Sequence, residues 1–247
     1  MRYLIFILLI SSCTSKSNKY LQVHEVKPAK PIIKNGPLFF TDSTFVAVSK
    51  SPIATNDASN YQETTYYDKS QTLMFHHGKE GILPSDTVAI NLYKVPTSPI
   101  DSIILNTLPS EKYPGSGPLS LIDFKKGTSN FRSADWLGFN KNTVRATAYL
   151  GQKNVSKIVV SSLVDQGAWI FAPYIISIYK EEKLIATKTH STTKDQSTNK
   201  YHFTELSFEP ISTNTIEIQI ETLEAIPDWH PGAGSKPWLF LDEILIY

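Results

Sequence analysis

Four tryptophans, a pair of adjacent carboxylates, two neighbouring histidines and a single cysteine are the groups in this 247-residue chain with chemistry to offer. An indole face stacks on sugar C–H groups while polar side chains beside it exchange hydrogen bonds with hydroxyls. Among Trp136, Trp169, Trp229 and Trp238, the third stands apart. It lies in Pro227-Asp228-Trp229-His230-Pro231-Gly232-Ala233-Gly234, where prolines and glycines forbid a regular strand and require a loop. Asp228 offers an acceptor and His230 a two-nitrogen group close to the ring. Trp229, His230 and Asp228 are therefore candidate carbohydrate-binding residues, together with Trp169, which a preceding turn can bring to a rim. A second reading stays open, in which the loop packs on its own domain, with Trp229 as a lid and His230 holding backbone groups. Trp136 and Trp238 sit in apolar segments and read as core, a reading that Trp169 shares.

The other groups promise less. Asp242 and Glu243 are adjacent on an expected strand, so they should point to opposite faces. His76 and His77 alternate in the same way and lack a third ligand nearby, which makes a solvated strand end the better reading. Asn154-Val155-Ser156 matches a glycosylation triplet and is assigned no role. Arg2 precedes an apolar run that ends in Ile10-Ser11-Ser12-Cys13, which resembles a bacterial lipoprotein signal peptide over residues 1–12. Cys13 would then be the lipidated N-terminus, and no thiol would remain for a disulfide, a zinc site or a nucleophile. An ordinary signal peptide is the alternative. The expected location is the cell envelope, lipid-anchored to the membrane of a Gram-negative bacterium, with the outer membrane favoured.

Such groups need a frame, and the frame reads as all-β. With 24 Lys plus Arg against 23 Asp plus Glu, no basic field is available for phosphate backbones, so nucleic acid is not expected as a partner. Prolines (15) outnumber glycines (11), and 12 Tyr and 12 Phe favour short strands and turns over helices. Residues 13–35 lack either period and read as a tether. Residues 36–110 show short apolar runs split by turn-formers, as in a small immunoglobulin-like β-sandwich, with the last run at 103–105. A Pro-rich joint over 96–118 puts the boundary near Glu111. In residues 111–247, Val144, Ala146, Ala148 and Leu150 share one strand face, as do Ile216, Ile218 and Ile220. Further strands are read at 157–163, 174–179, 184–189, 202–208 and 238–246, a count that suits a jelly roll. One short helical turn is expected over 120–126.

The second part also carries familiar strings: Tyr113-Pro114-Gly115-Ser116-Gly117-Pro118, then Gly127-Thr128-Ser129-Asn130-Phe131-Arg132, and Asp135-Trp136-Leu137-Gly138-Phe139. Together with Trp169-Ile170-Phe171-Ala172-Pro173, the Asp228 loop and the closing Trp238-Leu239-Phe240-Leu241-Asp242-Glu243-Ile244, they span residues 113–247. In order and spacing they resemble the discoidin-like (coagulation factor V/VIII C-type, galactose-binding-like) module appended to bacterial family 20 β-N-acetylhexosaminidases. Lys79-Glu80-Gly81-Ile82-Leu83-Pro84-Ser85-Asp86 resembles the final hairpin of the small sandwich in those C-terminal regions.

The resemblance implies an accessory tail without its catalytic barrel, because no stretch of alternating strand and helix is present to build one. Those hexosaminidases work through an adjacent Asp-Glu pair, yet Asp242-Glu243 lies in a final strand, far from any barrel, so no catalytic residue and no enzyme are expected. Related carbohydrate-binding modules hold a structural calcium ion between an early loop and the last strand. On that pattern Asp123, Gly127, Asn130 and Glu243 are the candidate metal ligands, although Phe124 stands where a glycine usually follows the aspartate. The implied partner is a carbohydrate, with amino-sugar glycans suggested by association alone. The alternatives are a structural subunit docking a partner protein or glycosidase, and a degenerate hexosaminidase fragment.

Overall fold

The computed structural model describes residues 29–31, 33–35, 39–44, 46–49, 61–63, 66–78, 83–98, 100–192 and 200–247. Cys13, the signal peptide, most of the tether and the 79–82 part of the expected hairpin lie outside the described residues.

The first unit is a small β-sandwich. One sheet joins β1 (Ile33–Asn35), β3 (Ala47–Ser49) and β4 (Tyr61–Glu63) in the order β1-β3-β4. The other joins β2 (Phe39–Phe40), β6 (Val88–Lys94) and β5 (Gln71–Phe75), with β2 parallel to β6. Among the described residues its core holds Phe40, Val46 and Leu92, with Val48, Leu73, Phe75 and Ile90 packed against them. The unit also packs against a neighbour.

That neighbour is the second unit, built from β7 (Ser102–Leu105), β8 (Leu137–Phe139), β9 (Thr143–Val164), β10 (Ile175–Lys180), β11 (Lys183–Thr189), β12 (Lys200–Glu221) and β13 (Leu239–Ile246). Two of these strands are 22 residues long and run antiparallel, from Lys200 opposite Val164 to Glu221 opposite Thr143. Each serves both layers of a sandwich. In one layer the order is β7, the first half of β9, the second half of β12, β10 and β11. In the other it is the first half of β12, the second half of β9, β13 and β8. Val144, Ala146, Ala148 and Leu150 from one half of β9 share a core with Ile158 and Val160 from the other half. The ladder is irregular between Ser207 and Ile211 and between Thr213 and Thr215, and Gly151 has φ 54°. A positive φ and local bulges let a strand turn a corner and change layer.

The structure revises the sequence reading in three places. The runs at 143–150 and 157–163 are one strand, as are 202–208 and 215–221, because the residues between them keep pairing around the bend. The run at 103–105, expected in the first unit, pairs with β9, Ile103 opposite Ala148, and enters the second core. The expected turn over 120–126 is a 3-10 helix at Pro118–Leu121, which starts where proline needs no N–H partner.

The units meet on the outer face of the β9–β13 layer. Phe39, Tyr93 and Val95 bury against Val159 and Leu245, with Phe203 and Tyr247 at the margin. The Tyr93 hydroxyl donates to Glu205 Oε1 at 2.7 Å, and the Tyr247 hydroxyl donates to the Lys94 carbonyl at 2.8 Å. Burial and the nearby Glu205 push the Tyr93 hydroxyl well above the usual phenol range, so it stays a donor.

Candidate functional site

One end of the second sandwich gathers three segments: residues 165–173, residues 226–236, and the neighbouring ends of β11 and β12. Asp165 starts the first, its Oδ1 accepting from Ala168 N at 3.2 Å to cap a 3-10 helix over Gln166–Ala168. Trp169 ends that helix in the left-handed region, with φ 65° and ψ 23°. Its backbone is fixed from both sides, since its N–H donates to Gln166 O at 3.0 Å and its carbonyl accepts from Trp238 N at 2.8 Å. A bulky side chain rarely adopts this conformation, so the frame holds Trp169 there against a local cost of about 1–3 kcal/mol.

The indole of Trp169 lies on Gly232. A Cβ there would stand 2.8 Å from Trp169 Cε2, so only glycine permits the approach. Trp169 nevertheless keeps 41% of its surface exposed, and Trp229, three residues before Gly232, keeps 36%. Trp229 leans on Phe171, ring centroids 6.4 Å apart, and on His230 at 5.7 Å. Asp228 is exposed beside it. Both indoles thus pack on protein neighbours and keep part of their surface open to solvent.

His230 is turned inward. It is buried, and both ring nitrogens are engaged: Nδ1 lies 3.0 Å from Gly232 N and Nε2 lies 2.8 Å from Gln166 O. A backbone N–H can only donate and a carbonyl can only accept, so the ring carries its proton on Nε2. The residue ties the 226–236 loop to the 165–173 loop and positions both tryptophans. Its expected part as a direct sugar contact is corrected to that of a positioning residue, because no ring nitrogen is left over.

Beside Phe171 the surface opens into a cleft of about 120 Å³ between Gln166, Pro173, His190, Lys200 and His202. The two imidazoles stand 5.0 Å apart, nearly perpendicular, on either side of the Thr204 hydroxyl, which is 2.9 Å from His190 Nε2 and 3.4 Å from His202 Nε2. Sequence reasoning missed this group. Nothing in the spacing of His190, His202 and Thr204 marks them, and only the pairing of β12 with its neighbours collects them.

The expected metal position gives a different picture. The β13–β9 ladder slips between Leu241 and Glu243, so a bulge turns Asp242 and Glu243 toward one loop, not to opposite faces as alternation predicts. Asp242 Oδ2 accepts from Gly127 N at 2.7 Å and from Lys126 Nζ at 2.5 Å. The ammonium is caged by rings, 4.3 Å from the Trp136 centroid and 4.1 Å from that of Tyr201. Burial pulls the Lys126 pKa down, and Asp242 opposes that. Glu243 is pushed up to about 9, first by burial, then by Asp242 and Asp123, so it holds a proton at neutral pH. Ser161 Oγ, Asp242 Oδ1 and Glu243 Oε2 have no hydrogen-bond partner among the described residues, and Ser161 sits opposite Glu243 in the ladder.

This donor set does not fit calcium. The ion needs six to eight oxygens without a competing cation, whereas the Lys126 ammonium already stands on Asp242. Asn130 spends its Oδ1 on Arg132 N, and Asp123 pairs with Lys125 near the surface. Among the described residues, no three His, Cys, Asp or Glu side chains gather as a metal site. Asp123, Gly127, Asn130 and Glu243, the expected ligands, thus lie around an Asp242 that holds Lys126 and a Glu243 whose pKa burial raises. Both carboxyls are fully covered, so the pair has no access to a substrate.

Of the remaining groups, Trp136 is fully buried, and Trp238 packs edge-on to Tyr113, so both serve the core. His77 has ring nitrogens 2.8 Å from Ala29 O and 2.9 Å from Ser49 O, while His76 is exposed.

No protein-family model matches the chain, and no curated protein matches it. Among solved structures, it is similar to the tandem CBM32 domains of Clostridium perfringens ZmpB in complex with GalNAc, at 18% identity and a TM-score of 0.40. That match covers 62% of this chain and 34% of the other, so the chain spans about a third of that protein's length. It is also similar to a Streptococcus pneumoniae fucose-binding module, at 13% identity over 62% of this chain and 95% of that one, with a TM-score of 0.40. The lectin domain of lectinolysin, complexed with Lewis B antigen, matches at 12% identity over 60% and 93%, again with a TM-score of 0.40.

Proposed function

We propose that this protein binds carbohydrate without catalysis, through the loop end of its second sandwich. The observation that carries the reading is the pair of open indoles, Trp169 and Trp229, one of them held in a strained backbone conformation beside a polar cleft. Sugars need such a platform, because their C–H faces stack on rings while their hydroxyls find polar partners at the edge. In this reading Trp169 and Trp229 stack, Asp228 accepts hydroxyl protons, and His230 holds the two loops in register.

The same reading makes the protein an envelope lipoprotein, acylated at Cys13 and carried on its tether at the surface of a Gram-negative bacterium. The resemblance of its strings to a hexosaminidase accessory tail supports a place beside glycan breakdown. A shallow site of this kind binds weakly, and display of many copies on a membrane would supply avidity. Docking of a protein partner is less well supported. The apolar outer sheet face is already covered by the first unit, and the opposite outer face carries Arg145, Thr147, Glu217 and Gln219.

The test is a glycan array probed with the full chain in mild detergent, repeated with Trp169→Ala and Trp229→Ala. Binding to at least one glycan class, weakened about tenfold or more by either substitution, is the expected result. Retention of no glycan at all would sink the reading.

A further inference from the structure

Lys126 and Asp242 meet where water is scarce. The lysine side chain is 11% exposed, the aspartate side chain is fully covered, and the two lie 116 residues apart in sequence. Nζ stands 2.5 Å from Asp242 Oδ2, closer than the usual charge-assisted N–H···O contact of about 2.7–2.9 Å. Trp136, Tyr201 and Phe203 surround the nitrogen, with ring centroids 4.3, 4.1 and 5.9 Å away. Oδ2 also accepts from Gly127 N at 2.7 Å, whereas Asp242 Oδ1 and Glu243 Oε2 have no hydrogen-bond partner among the described residues. Glu243 is itself fully covered and interacts electrostatically with both Lys126 and Asp242. An amine pressed on a carboxyl group, an N–H on one oxygen of that group and a second carboxyl alongside are more than an ion pair requires.

A desolvated lysine amine is a nucleophile, and a carboxyl oxygen held by a backbone N–H can take up the charge of a tetrahedral intermediate. We propose that Lys126 and Asp242 condense into an isopeptide bond that joins the 113–136 segment to β13. The ammonium passes one proton to the carboxylate, which leaves a neutral amine and a carboxylic acid. Nζ then attacks Cγ while Gly127 N–H holds the charge that gathers on Oδ2. The Nζ–Cγ bond forms and the Cγ–Oδ1 bond breaks. Oδ1 departs as water, with the acid's proton and one proton from the nitrogen, and Glu243 is the carboxyl placed to relay the latter. No oxidant, reductant or co-reactant is consumed. Holding the two groups in contact gives an effective concentration of about 10⁵–10⁸ M, and the covered site keeps water from reversing the step. The link would restrain the unfolded chain as a long-loop disulfide does, in a protein whose single cysteine can form no internal disulfide.

The experiment is mass spectrometry of the purified full chain under denaturing conditions, with Lys126→Arg as the reference that shares its N-terminal processing. After allowance for the substitution, the wild type should be lighter by one water, and digestion should release a branched peptide that joins the Lys126 and Asp242 segments. Lys126→Arg and Asp242→Ala should show neither. In newly synthesised chain, Glu243→Gln should slow the loss of water by about a hundredfold, and an unchanged rate would strike Glu243 from the step. A wild type that keeps its full mass and yields only linear peptides would overturn the proposal and leave an ion pair. Because that readout comes from the wild type, a variant that fails to fold does not cloud it.

Discussion

Strand β9 runs through two environments. Over residues 143–150 every second side chain is buried, and its outward neighbours, Arg145 and Tyr149, meet water. Over 158–164 every residue is buried, because the outer face is covered as well. The cover consists of the first unit, through Phe39 and Tyr93, and of the segment 113–136, which contributes Tyr113, Phe131, Trp136 and Lys126. One strand thus has an open half and a sealed half. Alternation in sequence reports how many faces are buried, and what buries the second face comes from elsewhere in the chain.

The sharpest way to break the sealed half is to remove its latch. Lys126→Met leaves Asp242 buried without its cation, and urea unfolding should show a loss of about 3–5 kcal/mol. Chelator should leave the wild-type melting temperature unchanged, since the cation belongs to the chain. A drop in that temperature with chelator would mean a metal shares the site.

Trimming the two outer faces compares them directly. Leu245→Ala, under the first unit, should cost about 2–5 kcal/mol, and Tyr149→Ala, on the open half, about 0.5 kcal/mol or less. Similar losses at both positions would show that the second face is not sealed in solution.

The protonated Glu243 gives the sealed half a pH dependence. Its folded pKa is raised from 4.5 to about 9, so the folded chain holds a proton that the unfolded chain releases. Its contribution to stability is fully present below the unfolded pKa and declines as pH rises toward 9, by at most about 1.4 kcal/mol per pH unit. Unfolding of wild type and Glu243→Gln at pH 5 and pH 8 should show wild type losing more between the two. Parallel losses would mean that Glu243 is ionised when folded. The smallest effect belongs to Tyr93→Phe, which deletes the bond to Glu205 between the units and should cost about 1 kcal/mol in the same assay.

Local patterns made part of this legible. Alternation at 144–150 and at 216–220 placed the inward residues of the open layer, and the Pro and Gly content of 226–236 marked the loop that carries Trp229. The corner inside β9 was not legible, because Gly151 followed by polar residues reads equally as the end of a strand. Nor was the pairing of residues 102–105 with β9, since a short edge strand carries no address for its partner. At the candidate site, Trp229 announced itself through its neighbours. Trp169 left two readings open because its segment is apolar, and it was the left-handed turn and the contact with Gly232 that put it at the rim. His190, His202 and Thr204 offered no signal at all.

By itself the sequence determined that the chain is all-β, which faces of its open strands turn inward, and where one loop interrupts them. These follow from side-chain alternation and from the backbone limits of proline and glycine, which act over a few residues. The tertiary structure alone decided that a bulge aims Asp242 and Glu243 at the same loop, that Lys126 stands on Asp242, and that two histidines line a cleft whose Phe171 also packs against Trp229. Those outcomes depend on ladder register and on contacts between segments as much as 116 residues apart, and no local spacing encodes them.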